Sequence, residues 1–563
     1  MLFNSLDFLC FFAIVYIAYC ILPFRGQNWM LLVAGYVFYG WWDVRFLFLI
    51  ACSTTVDFTI GLLLVNAKMP LRERWTASLF LIGAAIVFLC PNWSALRLKT
   101  FEIVHFFTFR PFGLEVVAGS IVFVLAGNLL IDLSTRLPEE RRRRLLIVSS
   151  IFVNLAFLGF FKYFNFFIGS AEDAFRIFGI DPSGLRLSVV LPVGISFYTF
   201  QSLSYTIDIY RCKLVPTTKF WNFALFVAYF PPMVAGPIER GRHLLPQLLS
   251  PRRINLQQSM DGLVLVLLGL FKKIAIADGI APSVNSVFNS SGVISQIDVA
   301  LATLLFAFQI FCDFSGYSDI ARGVSKLLGI NLLLNFNLPY FSKNPSEFWQ
   351  RWHISLSSWL RDYLYIPLGG NRHGRLLTYR NLMLTMLLGG LWHGAAWNYV
   401  LWGGYQGALL CGHRLLTRHD EQPLMLGTRV NACRSPGVNS WRRVIHFLLA
   451  SLSPSLKIGC FFLFCCYGWL LFCAHSFQQI IQFTAVLFGF GVNVAPIISK
   501  PTLSALMGIP ILVLLQLCDY RAGRLESFQR WRPSFQGVLY ATLFFVMIMG
   551  TSNAPVQFIY FQF

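Results

Sequence analysis

Long apolar runs, separated by short basic clusters, follow one another along the whole chain. A helix of about 20 apolar residues crosses a bilayer, so such runs predict transmembrane helices. After an opening run over residues 1–23, others occupy about 145–169, 189–209, 220–234, 263–280, 299–314, 381–404, 447–473, 503–517 and 538–550. The pattern predicts an all-α polytopic membrane protein of about a dozen spans, short or broken helices making the count uncertain by about two. No basic residue precedes Arg25, so the opening run reads as an uncleaved first helix that starts outside the cytoplasm. With spans alternating, Arg25, the cluster Lys68, Arg72 and Arg74, and the cluster Arg136 with Arg141 to Arg144 share one side, the cytoplasmic one. Arg97, Lys99 and Arg110 then fall outside, which predicts an interfacial segment over 92–112. The expected organisation is a single integral-membrane domain over 1–563, with N-terminal helices in 1–185, a core in 186–415, and a loop and C-terminal helices in 416–563. The most polar interval, 417–443, is expected to be a loop. No internal repeat is visible, which weighs against transporters built from two related halves.

Composition sharpens the class. Of 563 residues, 56% are hydrophobic and 12% charged, against about 25% charged in soluble domains. The net charge of +20 sits in short inter-helical clusters, the pattern of loops facing anionic lipid and not that of a nucleic-acid surface. The 13 cysteines are scattered without zinc-like spacing, so neither a metal site nor a disulfide framework is expected.

The interval that concentrates chemistry is 381–404, NLMLTMLLGGLWHGAAWNYVLWGG. It holds no Asp, Glu, Lys or Arg, yet carries His393, and an intramembrane histidine is expensive unless it has partners or a cavity. Gly389, Gly390, Gly394, Ala395 and Ala396 would let a backbone or a thin substrate approach the ring. The alternative is a histidine that only holds helices together.

Upstream, residues 344–372 begin with Asn344 as N-cap, Pro345 at the first helical position and Glu347 where a capping box places it. On one continuous helix, Phe348, Trp349, Trp352, Leu356, Trp359, Leu360 and Tyr363 share an arc with His353 at its edge, either facing inward or snorkelling to the headgroups. Asp313 and Asp319 lie near an apolar run and must find donors or cations, an ion pair with Arg322 being the commoner outcome. The hydroxyl-rich interval 191–211 suggests a lined passage, with helix-to-helix glue as the alternative. PPMVAGPIER, 231–240, is expected to be re-entrant or a protected helix end. Gly369 and Gly370 before Asn371 and Arg372 offer a weak phosphate cradle. No serine elbow, P-loop, HExxH pair or dinucleotide fingerprint is present. A histidine base without a side-chain nucleophile suits direct transfer between two bound substrates.

The runs FWQRWHISLSSWLRDYLYIPLGGNRHG and YRNLMLTMLLGGLWHGAAWNYVLWGG resemble the signature of the membrane-bound O-acyltransferase superfamily, in its bacterial alginate O-acetyltransferase-like branch. LPVGISFYTFQSLSYTIDIYR, VAGPIER, FCDFSGYSDIA and YVFYGWWD are also similar to that branch. Departures fall around 65–115 and 417–443.

The resemblance implies a ring of tilted helices with re-entrant or interfacial helices and a central funnel meeting a catalytic histidine, which maps to His393. The family's second position maps to His353. It implies transfer of an acetyl group from cytoplasmic acetyl-CoA to a hydroxyl of an extracytoplasmic polysaccharide, or to a periplasmic partner of the SGNH-hydrolase type, in the bacterial inner membrane. Acetyl-CoA is then a substrate and no cofactor is bound. On that assignment His393 acts as general base, His353 orients the donor or stabilises the oxyanion, and Arg372, Asn371 and Trp392 are candidates to hold coenzyme A. D-alanyl or peptidoglycan acyl transfer is the alternative within the class, and a proton-linked transporter the alternative outside it.

Overall fold

The computed structural model describes residues 1–93, 111–180, 186–417, 453–491 and 494–550. Among them every regular element is helical, as expected where backbone polar groups must be satisfied within each segment. Six described helices are long and apolar enough to cross a membrane: Val44–Val65, Phe112–Ser134, Glu139–Ile177, Gln296–Leu327, Pro454–Cys473 and Leu503–Ala522. Shorter apolar helices are Leu6–Ile21, Phe477–Leu487 and Pro533–Met549. Several of the apolar runs are broken, which lowers this number among the described residues. The run 220–234 forms the helix Phe220–Ala228 and then a separate turn, Phe230–Met233, opened by its prolines. The run 263–280 passes through a π-turn, Phe271–Ala277. The expected interfacial segment 92–112 and loop 417–443 lie largely outside the described residues.

The chain divides into two compact units, Met1–Leu270 with Gly316–Leu333, and Phe271–Ser315 with Leu334–Phe563.

In the first unit, Val44–Val65 packs against Leu71–Leu89, Glu139–Leu158 and Ile195–Tyr210. Its Asp57 is fully buried and encircled by donors. Oδ1 accepts from Ser150 Oγ at 2.7 Å and Asn154 Nδ2 at 3.0 Å, and Oδ2 accepts from Asn154 Nδ2 at 2.9 Å and Ser53 Oγ at 3.3 Å. Ser202 and Thr206 join from Ile195–Tyr210 through Ser53 and Ser150. All of that helix but Ile207 and Tyr210 is buried. The lined passage suggested for 191–211 is therefore corrected. Ser202 and Thr206 bond to other helices, because in a hydrocarbon setting hydroxyls satisfy each other. The interval 231–240 is buried throughout, as a broken segment must be to keep its backbone from lipid.

In the second unit, Lys273 on the π-turn lies 2.8 Å from both Asp278 and Asp313. Asp313 thus has its cation. In the first unit, Asp319 pairs with Arg322 at 3.1 Å, the outcome expected for it.

Candidate active site

Two expectations about the histidine-bearing segments are corrected. The interval 381–404 is not one span. The helix Arg375–His393 ends at the histidine, Gly394 is extended, and a second helix, Trp397–Thr417, begins. The small residues do allow close approach, but to this following helix. A Cβ at Gly390 would strike Tyr399 O and come within 3.0 Å of Gly403 Cα, and one at Gly394 would strike the Tyr399 ring.

Nor is 344–372 one helix. Asn344 caps Pro345–Arg351 by accepting from Glu347 N at 2.8 Å, as expected. The chain then breaks at His353, whose φ of 43° is left-handed. It resumes as Ile354–Leu360, followed by a π-turn, Arg361–Tyr365. Phe348, Trp352, Leu356, Trp359, Leu360 and Tyr363 are buried even so, because each half keeps its own apolar face inward.

The break is held by Asn335, 1% exposed, in the non-helical run LLLNFNL. Its carbonyl accepts from Ile354 N at 2.9 Å. Its side-chain Oδ1 accepts from Ser355 N at 3.3 Å and Ser355 Oγ at 2.7 Å, and meets His353 Nδ1 at 3.2 Å. A remote residue thus caps Ile354–Leu360, where His353 supplies no side-chain cap. Asn335 is a site residue that its sequence context marks only weakly. The available signal was a polar residue inside an apolar, proline-flanked run.

The structure brings His353, His393 and Trp392 together. The imidazole centroids are 6.3 Å apart, and the Trp392 ring lies 5.1 Å from His393 and 5.9 Å from His353. Trp402 at 5.1 Å and Phe472 at 5.5 Å stand edge-on around His393, and Phe314 at 4.6 Å stands against His353. His393 is 3% exposed and His353 0%. His353 is thus not snorkelling to the headgroups. It lies outside the membrane-spanning helices, and burial pushes its pKa down to about 3, so the ring is neutral.

Asn371 and Arg372 are exposed on a turn whose glycines have positive φ, 108° at Gly369 and 54° at Gly370. The Arg372 amide donates to Gly369 O at 3.1 Å, so it is already engaged within the turn. These two residues do not join the buried cluster.

A dry pair of imidazoles in an aromatic shell suits acid–base transfer more than binding of a large charged group. A family model described as MBOAT, membrane-bound O-acyltransferase family, matches residues 212–448, which include His353 and His393. The chain belongs to that family, and it is a multi-pass membrane O-acyltransferase. It is 36% identical over 492 residues to a probable alginate O-acetylase AlgI of Azotobacter vinelandii, covering 87% of this chain and 79% of that one. It is 36% identical over 362 residues to a peptidoglycan O-acetyltransferase of Helicobacter pylori, covering 60% and 66%. It is 30% identical over 228 residues to a teichoic acid D-alanyltransferase of Streptococcus thermophilus, covering 38% and 55%. This membership decides against the transporter alternative.

Proposed function

We propose that the protein transfers an acetyl group from cytoplasmic acetyl-CoA to a hydroxyl of an extracytoplasmic, alginate-like polysaccharide, with His393 as general base. The observation that carries this reading is the buried His353–His393 pair inside the span matched by the family model. His393 takes the hydroxyl proton as the oxygen attacks the thioester carbonyl. The new C–O bond forms, the C–S bond breaks, and the imidazolium returns its proton to the leaving thiolate. His393 is the last residue of its helix, and the partial negative charge of a helix C-terminus stabilises positive charge developing there. Holding both substrates in place supplies the rest of the acceleration.

With His393 3% exposed, this reading requires acetyl-CoA and acceptor to reach it from opposite membrane faces. Arg372 and Asn371, exposed on their turn, are positioned by charge and polarity to meet coenzyme A phosphates at the cytoplasmic mouth, and Trp392 to bound the acyl end. A bacterial inner-membrane location and an SGNH-type periplasmic partner complete the proposal. The identity to the alginate O-acetylase supports the acetyl group and the polysaccharide acceptor.

The test is transfer of labelled acetyl groups by purified protein in nanodiscs. His393→Ala should lose about 10²–10⁴-fold, the usual worth of a positioned base, with expression unchanged. Full activity in that variant would remove the mechanism. Parallel incubation with a D-alanyl carrier protein separates the donors, and labelling of that reaction alone would replace acetyl by D-alanyl transfer.

A further inference from the structure

The hydrogen bonds around Asn335 decide which nitrogen of His353 carries its proton. The backbone N–H of Ser355 can only donate, and it meets the Asn335 side chain at 3.3 Å. The atom facing it is therefore the amide oxygen and not the amide nitrogen. Ser355 Oγ donates to the same oxygen at 2.7 Å. An amide oxygen accepts and never donates, so its 3.2 Å contact with His353 Nδ1 is attractive only if Nδ1 bears hydrogen. In the neutral ring Nε2 then holds the lone pair.

We propose that Asn335 is a positioning residue that fixes His353 in its Nδ1–H tautomer, so that His353 meets the substrates as a hydrogen-bond acceptor through Nε2. This deepens the transferase reading and rests on it. It also changes the role expected for His353. An oxyanion needs a donor, and neutral His353 with Nδ1–H held by Asn335 offers none at Nε2. What it can hold is an O–H or N–H of a substrate: the attacking hydroxyl, or an amide of the pantetheine arm. Among the described residues a titratable group facing His353 is His393, at 6.3 Å between centroids, while Asp313, the chain neighbour of Phe314, is held by Lys273.

Asn335 also caps Ile354–Leu360, so loss of activity alone would not separate positioning from folding. The first arm is therefore spectroscopic. Protein labelled with nitrogen-15 histidine is compared with His353→Gln to identify the His353 resonances. A protonated Nδ1 and unprotonated Nε2 are expected, and the opposite pattern overturns the proposal.

The second arm is kinetic, with acetyl-CoA as donor. Asn335→Leu should lower kcat at least about 10-fold, the low end for removing a group that orients a histidine, with the KM for acetyl-CoA unchanged. Asn335→Asp keeps an acceptor for Nδ1–H but adds negative charge, which favours the imidazolium and raises the His353 pKa. Neutral His353 is then lost at higher pH, so activity should be rescued relative to Asn335→Leu and the acid limb of kcat should move to higher pH. Equal losses in both variants with an unmoved acid limb overturn the proposal and leave Asn335 a cap. Absence of acetyl transfer by the unaltered protein overturns the functional reading instead, and the spectroscopic arm still decides the tautomer.

Discussion

His353 adopts a backbone conformation that costs an ordinary L residue about 1–2 kcal/mol, at φ 43° and ψ 53°. Such a position persists because Asn335, Ser355 and the Phe314 ring over-determine it. His353→Asn should therefore be accommodated well by the backbone, since Asn tolerates the left-handed region, yet kcat should fall at least about 10-fold for want of an oriented imidazole. Circular dichroism and acetyl-transfer rates on the same preparation check both halves. At Gly390 the constraint is space. Gly390→Val would push the helix Trp397–Thr417 off its partner, because Tyr399 O and Gly403 Cα occupy the place of the new side chain. Overpacking of this kind costs about 1–3 kcal/mol, and Gly390 lies on the helix Arg375–His393, one turn before His393. Thermal unfolding and activity should fall together.

At the scale of elements, polar side chains and helix breaks do most of the positioning. Asp57 centres a hydrogen-bond network that joins three helices, so Asp57→Leu should lower stability by about 1–3 kcal/mol, the cost of leaving buried donors unmet. It lies in the first unit and the histidines in the second, so acetyl transfer per folded molecule should be unchanged. The turn that starts Gly241–Leu249 carries a second device. His243 Nδ1 is 2.7 Å from Glu239 Oε2, and Glu239 Oε1 accepts from Leu333 N at 2.7 Å. Hydrogen bonding to Glu239 raises the His243 pKa above 6.5, and burial raises that of Glu239 above 4.5. Both groups bind protons more tightly when folded, so their stabilisation is complete below the unfolded values and fades as pH rises through the folded ones. Melting temperature should fall with rising pH above about 6.5, the unfolded histidine value. That slope should shrink in His243→Gln.

For the whole molecule, the basic clusters predict sidedness. Arg144, with its side chain 73% exposed, belongs to the cluster assigned to the cytoplasm. In a cysteine-depleted background, Arg144→Cys should react with a membrane-impermeant maleimide only after cells are permeabilised. Labelling of intact cells would invert the topology.

Composition and hydropathy, read from the chain alone, determined a helical membrane protein, and the motifs around His353 and His393 carried the resemblance to the O-acyltransferase family. Both are local properties, since transfer free energy is summed over contiguous residues and a signature is a contiguous string. Tertiary structure alone decided that 381–404 ends a helix at His393, that 344–372 breaks at His353, and that hydroxyls in 191–211 join helices. It alone brought Asn335 to His353. A hydrogen bond between residues distant in sequence leaves no periodic trace, and a helix restarts where a remote group satisfies its first amides.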